Sequence, residues 1–175
     1  AGYYTDDEHP FEAFLKKISG YLKEDGKLLI AIENKFGLKY WAGSREDHTG
    51  KFFDGLEGYI DTDSKVRTFS KEALKKIITD AGYGKAEFYY PFPDYKFPVQ
   101  IFSDEYLPRE DDLNIGLDTF DNTRMMLFNE NRVYANLLKE KKFEFFANSF
   151  FVEVSKKYDE GIINHISYAS LKRDY

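Results

Sequence analysis

A chain of 175 residues, 42% hydrophobic and 32% charged, has the length and apolar content for a folded core and not the composition of a disordered segment. A formal net charge of -6 with no basic stretch argues against nucleic acid as a partner. No apolar run is long enough for a membrane span and no secretory signal pattern begins the chain. The cysteine count of zero excludes disulfide and thiolate chemistry, so a cytoplasmic location is expected.

The opening Ala1-Gly2-Tyr3-Tyr4-Thr5 carries no initiator Met, which reads as a fragment of something longer. The spacing predicts a first helix over residues 10–23. Pro10 suits its first position and Phe11, Phe14, Leu15, Ile18 and Leu22 fall on one stripe. Lys23-Glu24-Asp25-Gly26 then turns into five consecutive apolar residues, Leu28 to Ile32. A run so uniform predicts a strand buried on both faces of a mostly parallel sheet covered by helices. Helix, turn and strand make one half of a right-handed βαβ unit whose first strand is absent.

Residues 35–67 show no strong period, and a connection of that length is often a lid or binding loop. A second helix is predicted over residues 71–81, with Ser70 as N-cap, Leu74, Ile77, Ile78 and Ala81 as its buried face, and Gly82 as its stop. Residues 86–90 read as a strand, ended by Pro91-Phe92-Pro93. Residues 99–102 suit a short edge strand or an extended connector, and residues 103–116 an acidic loop. A third helix is predicted over residues 123–139, with Met126, Val133, Leu137 and Leu138 on its apolar side, then a strand over residues 150–154. Residues 158–175 form either an extra strand or a linker to a following module, leaving residues 1–157 as the main unit. The 17 Phe and 14 Tyr supply either core rings or a surface for stacking sugars and nucleosides.

Ligands of open α/β sheets sit beyond the carboxyl ends of the strands. Glu33 and Asn34 follow the apolar run directly, and either hold a substrate hydroxyl or bond loop amides. Glu46-Asp47-His48 is the tight acid–histidine cluster of the chain; it is either a general base with its orienting acid or a solvated loop. One histidine with adjacent acids lacks the spacing of a dedicated metal site. His9 and His165 read as surface residues. Pro91 to Lys96 presents Asp94, Tyr95 and Lys96 on a stiff turn at a strand end. Asp61-Thr62-Asp63 matches the D-x-D string of nucleotide-sugar transferases, although in an irregular loop. No glycine-rich cofactor fingerprint, phosphate loop, nucleophile elbow or zinc motif is present.

The strings LLIAIENKFGLKYWAG, EDHTG, VRTFSKEALKKIITDAGY, FYYPFPDYKFP and FSDEYLP resemble a bacterial family. It is the class I S-adenosylmethionine-dependent methyltransferase region of large surface-polysaccharide proteins, often joined to glycosyltransferase domains. The resemblance covers roughly residues 1–155. It implies a Rossmann-like α/β sheet of order 3-2-1-4-5-7-6 with strand seven antiparallel. Residues 28–32, 86–90 and 150–154 would be strands five, six and seven, and the helix over residues 71–81 would join five to six.

The glycine-rich loop after strand one and the acidic end of strand two, which hold the cofactor, have no counterpart in the chain. The resemblance therefore implies a partial fold whose cofactor-binding half is missing upstream of Ala1, inactive alone and binding S-adenosylmethionine weakly or not at all. The implied reaction is methyl transfer to a sugar hydroxyl. His48 supported by Asp47 is the base, Glu33 and Asn34 position the acceptor, Tyr40 or Trp41 stacks on its ring, and Asp94 and Tyr95 complete the substrate side. Adjacent domains of a parent protein are the implied partners, and a strand edge left open invites a homodimer. The rival from another class is a non-catalytic module that binds glycan or docks a glycosyltransferase domain.

Overall fold

The computed structural model describes residues 7–61, 65–113, 125–157 and 166–171. Helix α1 (Pro10–Ser19) starts at the proline that needs no N–H partner and buries Leu15. Strand β1 (Lys27–Glu33) follows, and the short helix α2 (Leu38–Trp41) lies just beyond its carboxyl end. Helix α3 (Lys71–Asp80) is capped by Ser70, whose Oγ accepts from the Ala73 N–H at 3.2 Å, and it stops at Gly82, which takes φ 89°. Strands β2 (Lys85–Phe92) and β3 (Gln100–Ser103) form an antiparallel pair. Helices α4 (Glu130–Lys139) and α5 (Phe143–Phe146) precede β4 (Ser149–Ser155), and β5 (Ala169–Ser170) closes the described chain.

The five strands form one sheet of order β1–β4–β2–β3–β5 in which every ladder is antiparallel. That overturns the expectation of a mostly parallel sheet. Strands β1 and β2 run in the same direction, but β4 lies between them. Burial of β1 on both faces is overturned as well. Leu28, Ile30 and Ile32 face the core, whereas Leu29 on the opposite face is 57% exposed. The apolar run is uniform, yet among the described residues only one of its faces is covered.

The register explains the core. Ile30 lies opposite Val152, which lies opposite Phe88, so one row of apolar side chains crosses three strands. Neighbouring rows add Phe150, Val154 and Tyr90, all fully buried. Phe143 meets Tyr90 and Phe102 edge to face, at centroid distances of 5.9 Å each. The other face of the sheet is half-wet and carries the Lys27–Glu153 ion pair at 2.6 Å.

Element boundaries differ from the sequence pattern, and α1 stops at Ser19, short of the predicted residue 23. α4 starts at Glu130 because the Asn129 Oδ1 accepts from the Arg132 N–H at 3.2 Å, a cap that the apolar spacing upstream conceals; Met126 is 62% exposed and outside the helix. Residues 123 and 124 of that predicted helix lie outside the described residues. β2 runs on through Pro91 to Phe92 because its ladder with β4 stops at Tyr89 and Phe151, so Pro91 sits where β2 has β3 as its one paired neighbour. Tyr168 packs on Phe102 and Tyr106 and its hydroxyl accepts from Gln100 Nε2 at 3.0 Å, which brings β5 onto the edge of the same sheet.

Candidate functional site

Beyond the carboxyl ends of β1 and β2 the chain builds a network of three carboxylates and two ammonium groups. Glu33 ends β1, Lys39 and Tyr40 lie on α2, Asp47 sits on the following loop, and Asp94, Tyr95 and Lys96 follow the cis Phe92–Pro93 bond after β2. Lys39 Nζ lies 3.1 Å from Asp47 Oδ2 and 3.1 Å from Asp94 Oδ2. Lys96 Nζ lies 3.1 Å from Asp47 Oδ1 and 3.4 Å from Glu33 Oε1. The Tyr40 hydroxyl donates to Asp47 Oδ2, and the Tyr95 hydroxyl donates to Glu33 Oε1 at 3.1 Å.

The start of β4 holds the two loops together. Asn148 Oδ1 accepts from the Lys39 N–H at 2.9 Å, and its Nδ2 donates to the Pro93 carbonyl at 3.0 Å. Ser149 Oγ accepts from the Tyr95 N–H at 2.9 Å. A single dipeptide therefore fixes the register of α2 against the turn after β2. Gly37 must be small for this, since a Cβ there would lie 2.9 Å from the Asn148 Cα.

The electrostatics follow from burial and charge. The Lys39 side chain is 7% exposed and that of Asp47 is 12% exposed. Burial pushes the Asp47 carboxyl upward, but Lys39, the Tyr40 hydroxyl and Lys96 outweigh it and hold the group below its ordinary range. Tyr40 is driven far upward by burial, then by the Asp47 charge and hydrogen bond. Burial and the charge of Glu33 push Tyr95 up to about 12. All three groups stay in their neutral-pH forms across the physiological range: Asp47 charged, both phenols protonated.

The residues expected at a site do not all converge. Glu33, Tyr40, Asp47, Asp94 and Tyr95 come together in this one network, although they span 62 positions from Glu33 to Tyr95. Asn34 is buried and structural: its Nδ2 donates to the Phe145 carbonyl at 2.8 Å and the Ala147 carbonyl at 2.7 Å, while its Oδ1 accepts from the Phe36 N–H at 3.0 Å. Trp41 points away, packing edge to face on Phe146 at 6.2 Å.

His48 does not pair with Asp47. Both Asp47 oxygens are taken by Lys39, Tyr40 and Lys96, whereas His48 is exposed and its backbone N–H donates to Glu46 Oε2 at 2.7 Å. The acid that organises the histidine loop is Glu46. Its Oε2 also accepts from the Thr49 N–H at 2.6 Å, and its Oε1 accepts from the Tyr59 hydroxyl at 3.0 Å.

Lys39, Asn148 and Ser149 escape sequence reasoning because nothing in their local spacing marks them; Asp94, Pro93 and Tyr95, which they bond, lie more than fifty positions away. His9 is exposed. His165, and Thr62 and Asp63 of the D-x-D string, lie outside the described residues. Among the described residues no three His, Asp or Glu side chains are arranged to hold a metal ion. No helix among them is long and apolar enough to cross a membrane. Comparison with family models, curated proteins and solved structures found no match.

Proposed function

We propose that this chain is the acceptor-side part of an S-adenosylmethionine-dependent methyltransferase domain acting on a glycan in the cytoplasm. The observation that carries the reading is the order β1–β4–β2, with β4 antiparallel between two strands of common direction. That order supports the reading because the resemblance implies strands five, seven and six in that sequence, and α3 would then be the crossover between five and six. An apolar groove of about 340 Å³ along the outer edge of β1, lined by Phe14, Ile18, Leu28 and Ile30, supports it further, since another strand would bury there.

The described residues do not fit S-adenosylmethionine itself. Of the described strands only β1 ends in an acidic residue, Glu33, and its carboxylate is closed in by Tyr95 and Lys96 at 3% exposure. The role left to this chain is to bind and orient an acceptor hydroxyl and to take up its proton. His48, exposed at the end of the Glu46-anchored loop, is the base in this reading, and Asp47 anchors the loop. Glu33, Tyr40, Asp94 and Tyr95 form the polar wall.

The test is a methyl-transfer assay on the parent polypeptide with a radiolabelled donor. His48→Ala is expected to lower kcat on the order of 10²-fold, the usual loss for a general base. Full turnover by that variant would remove the assignment. The second reading, a non-catalytic module that binds glycan or docks a neighbouring domain, is favoured by the closure of the network on itself, since Lys39, Lys96, Asp47 and Asp94 satisfy one another. A parent polypeptide that binds glycan and transfers no methyl group would establish it.

A further inference from the structure

A cleft of about 300 Å³ opens between the loop after β1, the first turn of α3 and the segment joining α4 to α5. It lies apart from the network above and has a mixed lining: Lys71, Glu72, Lys141, Lys142 and Glu144 against Phe36 and Phe145. The charges are not equivalent. Lys71 Nζ is fully occupied, donating to the Tyr90 hydroxyl at 2.6 Å, Asp104 Oδ1 at 2.8 Å and Glu144 Oε2 at 3.1 Å. Lys141 and Lys142 differ: among the described residues neither ammonium group makes a hydrogen bond or ion pair, and their recorded bonds are backbone N–H groups donating to Leu138 and Leu137. Two adjacent unneutralised cations on a chain of net charge -6 are a local excess that an anion relieves.

Lys141 is also held in an unfavourable conformation. It follows the C-cap Glu140 of α4 with φ 55°, the left-handed position that glycine normally fills. A lysine there strains the backbone and presents a charge to the cleft that glycine would not. Part of the lining is apolar: Phe36 and Phe145 stack at 5.0 Å with an interplanar angle of 13°, and Phe145 is 49% exposed. An exposed aromatic ring in the same cleft as Glu72, a carboxylate with no partner among the described residues, offers a surface for the C–H groups of a sugar and an acceptor for its hydroxyls.

We propose that this cleft binds a phosphorylated monosaccharide, its phosphate on Lys141 and Lys142 and its ring against Phe145. The inference rests on the cleft alone, and its test uses no methyl donor, so it stands or falls separately from the methyl-transfer reading. The experiment is calorimetric titration of the chain with glucose 1-phosphate, inorganic phosphate and glucose at low salt. Glucose 1-phosphate is expected to bind about tenfold more tightly than inorganic phosphate, and glucose far more weakly than either, because the charge supplies affinity and the ring adds to it.

Lys141→Gly is expected to raise Tm while weakening glucose 1-phosphate about tenfold, a combination that a merely structural lysine would not give. Phe145→Ala is expected to weaken glucose 1-phosphate and leave inorganic phosphate unchanged. No saturable binding of either phosphate would overturn the proposal, as would equal affinity for the two or full binding by Lys141→Gly.

Discussion

Replacing Lys39 by Met tests whether the charge network holds the two loops together. The methionine keeps the length of the buried stem and removes the ammonium that lies 3.1 Å from both Asp47 and Asp94. Breaking a buried ion pair by deleting one partner costs about 3–5 kcal/mol, because the other charge remains desolvated. Asp47 keeps Lys96 at 3.1 Å and the Tyr40 hydroxyl, and Asp94 is 16% exposed, so the expected loss falls at the low end, about 3 kcal/mol.

The loss must also depend on pH. The folded Asp47 carboxyl titrates below its ordinary 3.8, so its contribution is full above that value and disappears as pH falls through the lowered folded value. In Lys39→Met burial acts with less opposition, the Asp47 carboxyl moves up, and protonation relieves the variant at higher pH than the parent. Urea unfolding followed by circular dichroism at pH 7 and at pH 4 gives both numbers. Equal midpoints for variant and parent at pH 7, with unchanged slope, would refute the reasoning, as would a gap that stays constant down to pH 4.

Other outcomes follow from single contacts. Asn34→Ala leaves the Phe145 and Ala147 carbonyls without their donor and is expected to cost about 3 kcal/mol in chemical denaturation, at one to three for each unsatisfied buried group; a cost below about 1 kcal/mol would make Asn34 a site residue after all. The Tyr95 phenol is expected to ionise near 12, seen by NMR of labelled tyrosine, and the stability it contributes is present below its unfolded value near 10 and lost as pH rises through 12. An ionisation near 10 would mean that Glu33 and Tyr95 are apart in solution. The open edge of β1 is expected to pair two copies of the chain, and Leu29→Lys, at a side chain 57% exposed, is expected to return light scattering to the monomer mass; a monomeric parent at micromolar concentration contradicts it.

The sequence carried the elements well and their assembly poorly. Ser70 and Gly82 bracket α3, and Pro10 starts α1, because caps act within a few residues of the signal they leave. The direction of β4 and its insertion between β1 and β2, implied by the resemblance alone, depend on pairing across more than a hundred positions to β1 and more than sixty to β2, which no local period encodes. Leu28 to Ile32 read as buried on both faces for the same reason: apolarity says a residue tolerates burial, not that a layer covers it. At the site, position beyond a strand end singled out Glu33, Asp94 and Tyr95, and the acid–histidine cluster singled out Asp47. Pairing Asp47 with His48 went wrong because adjacent residues on a loop point apart. The partners Lys39 and Lys96 arrive from elsewhere and take the carboxylate first.

The most direct measurement is calorimetric titration of S-adenosylmethionine into this chain and into the chain extended upstream in its parent gene. The account expects no saturable binding by the chain and binding of one equivalent by the extended polypeptide. Tight binding by the chain alone, or none by the extended one, would contradict it.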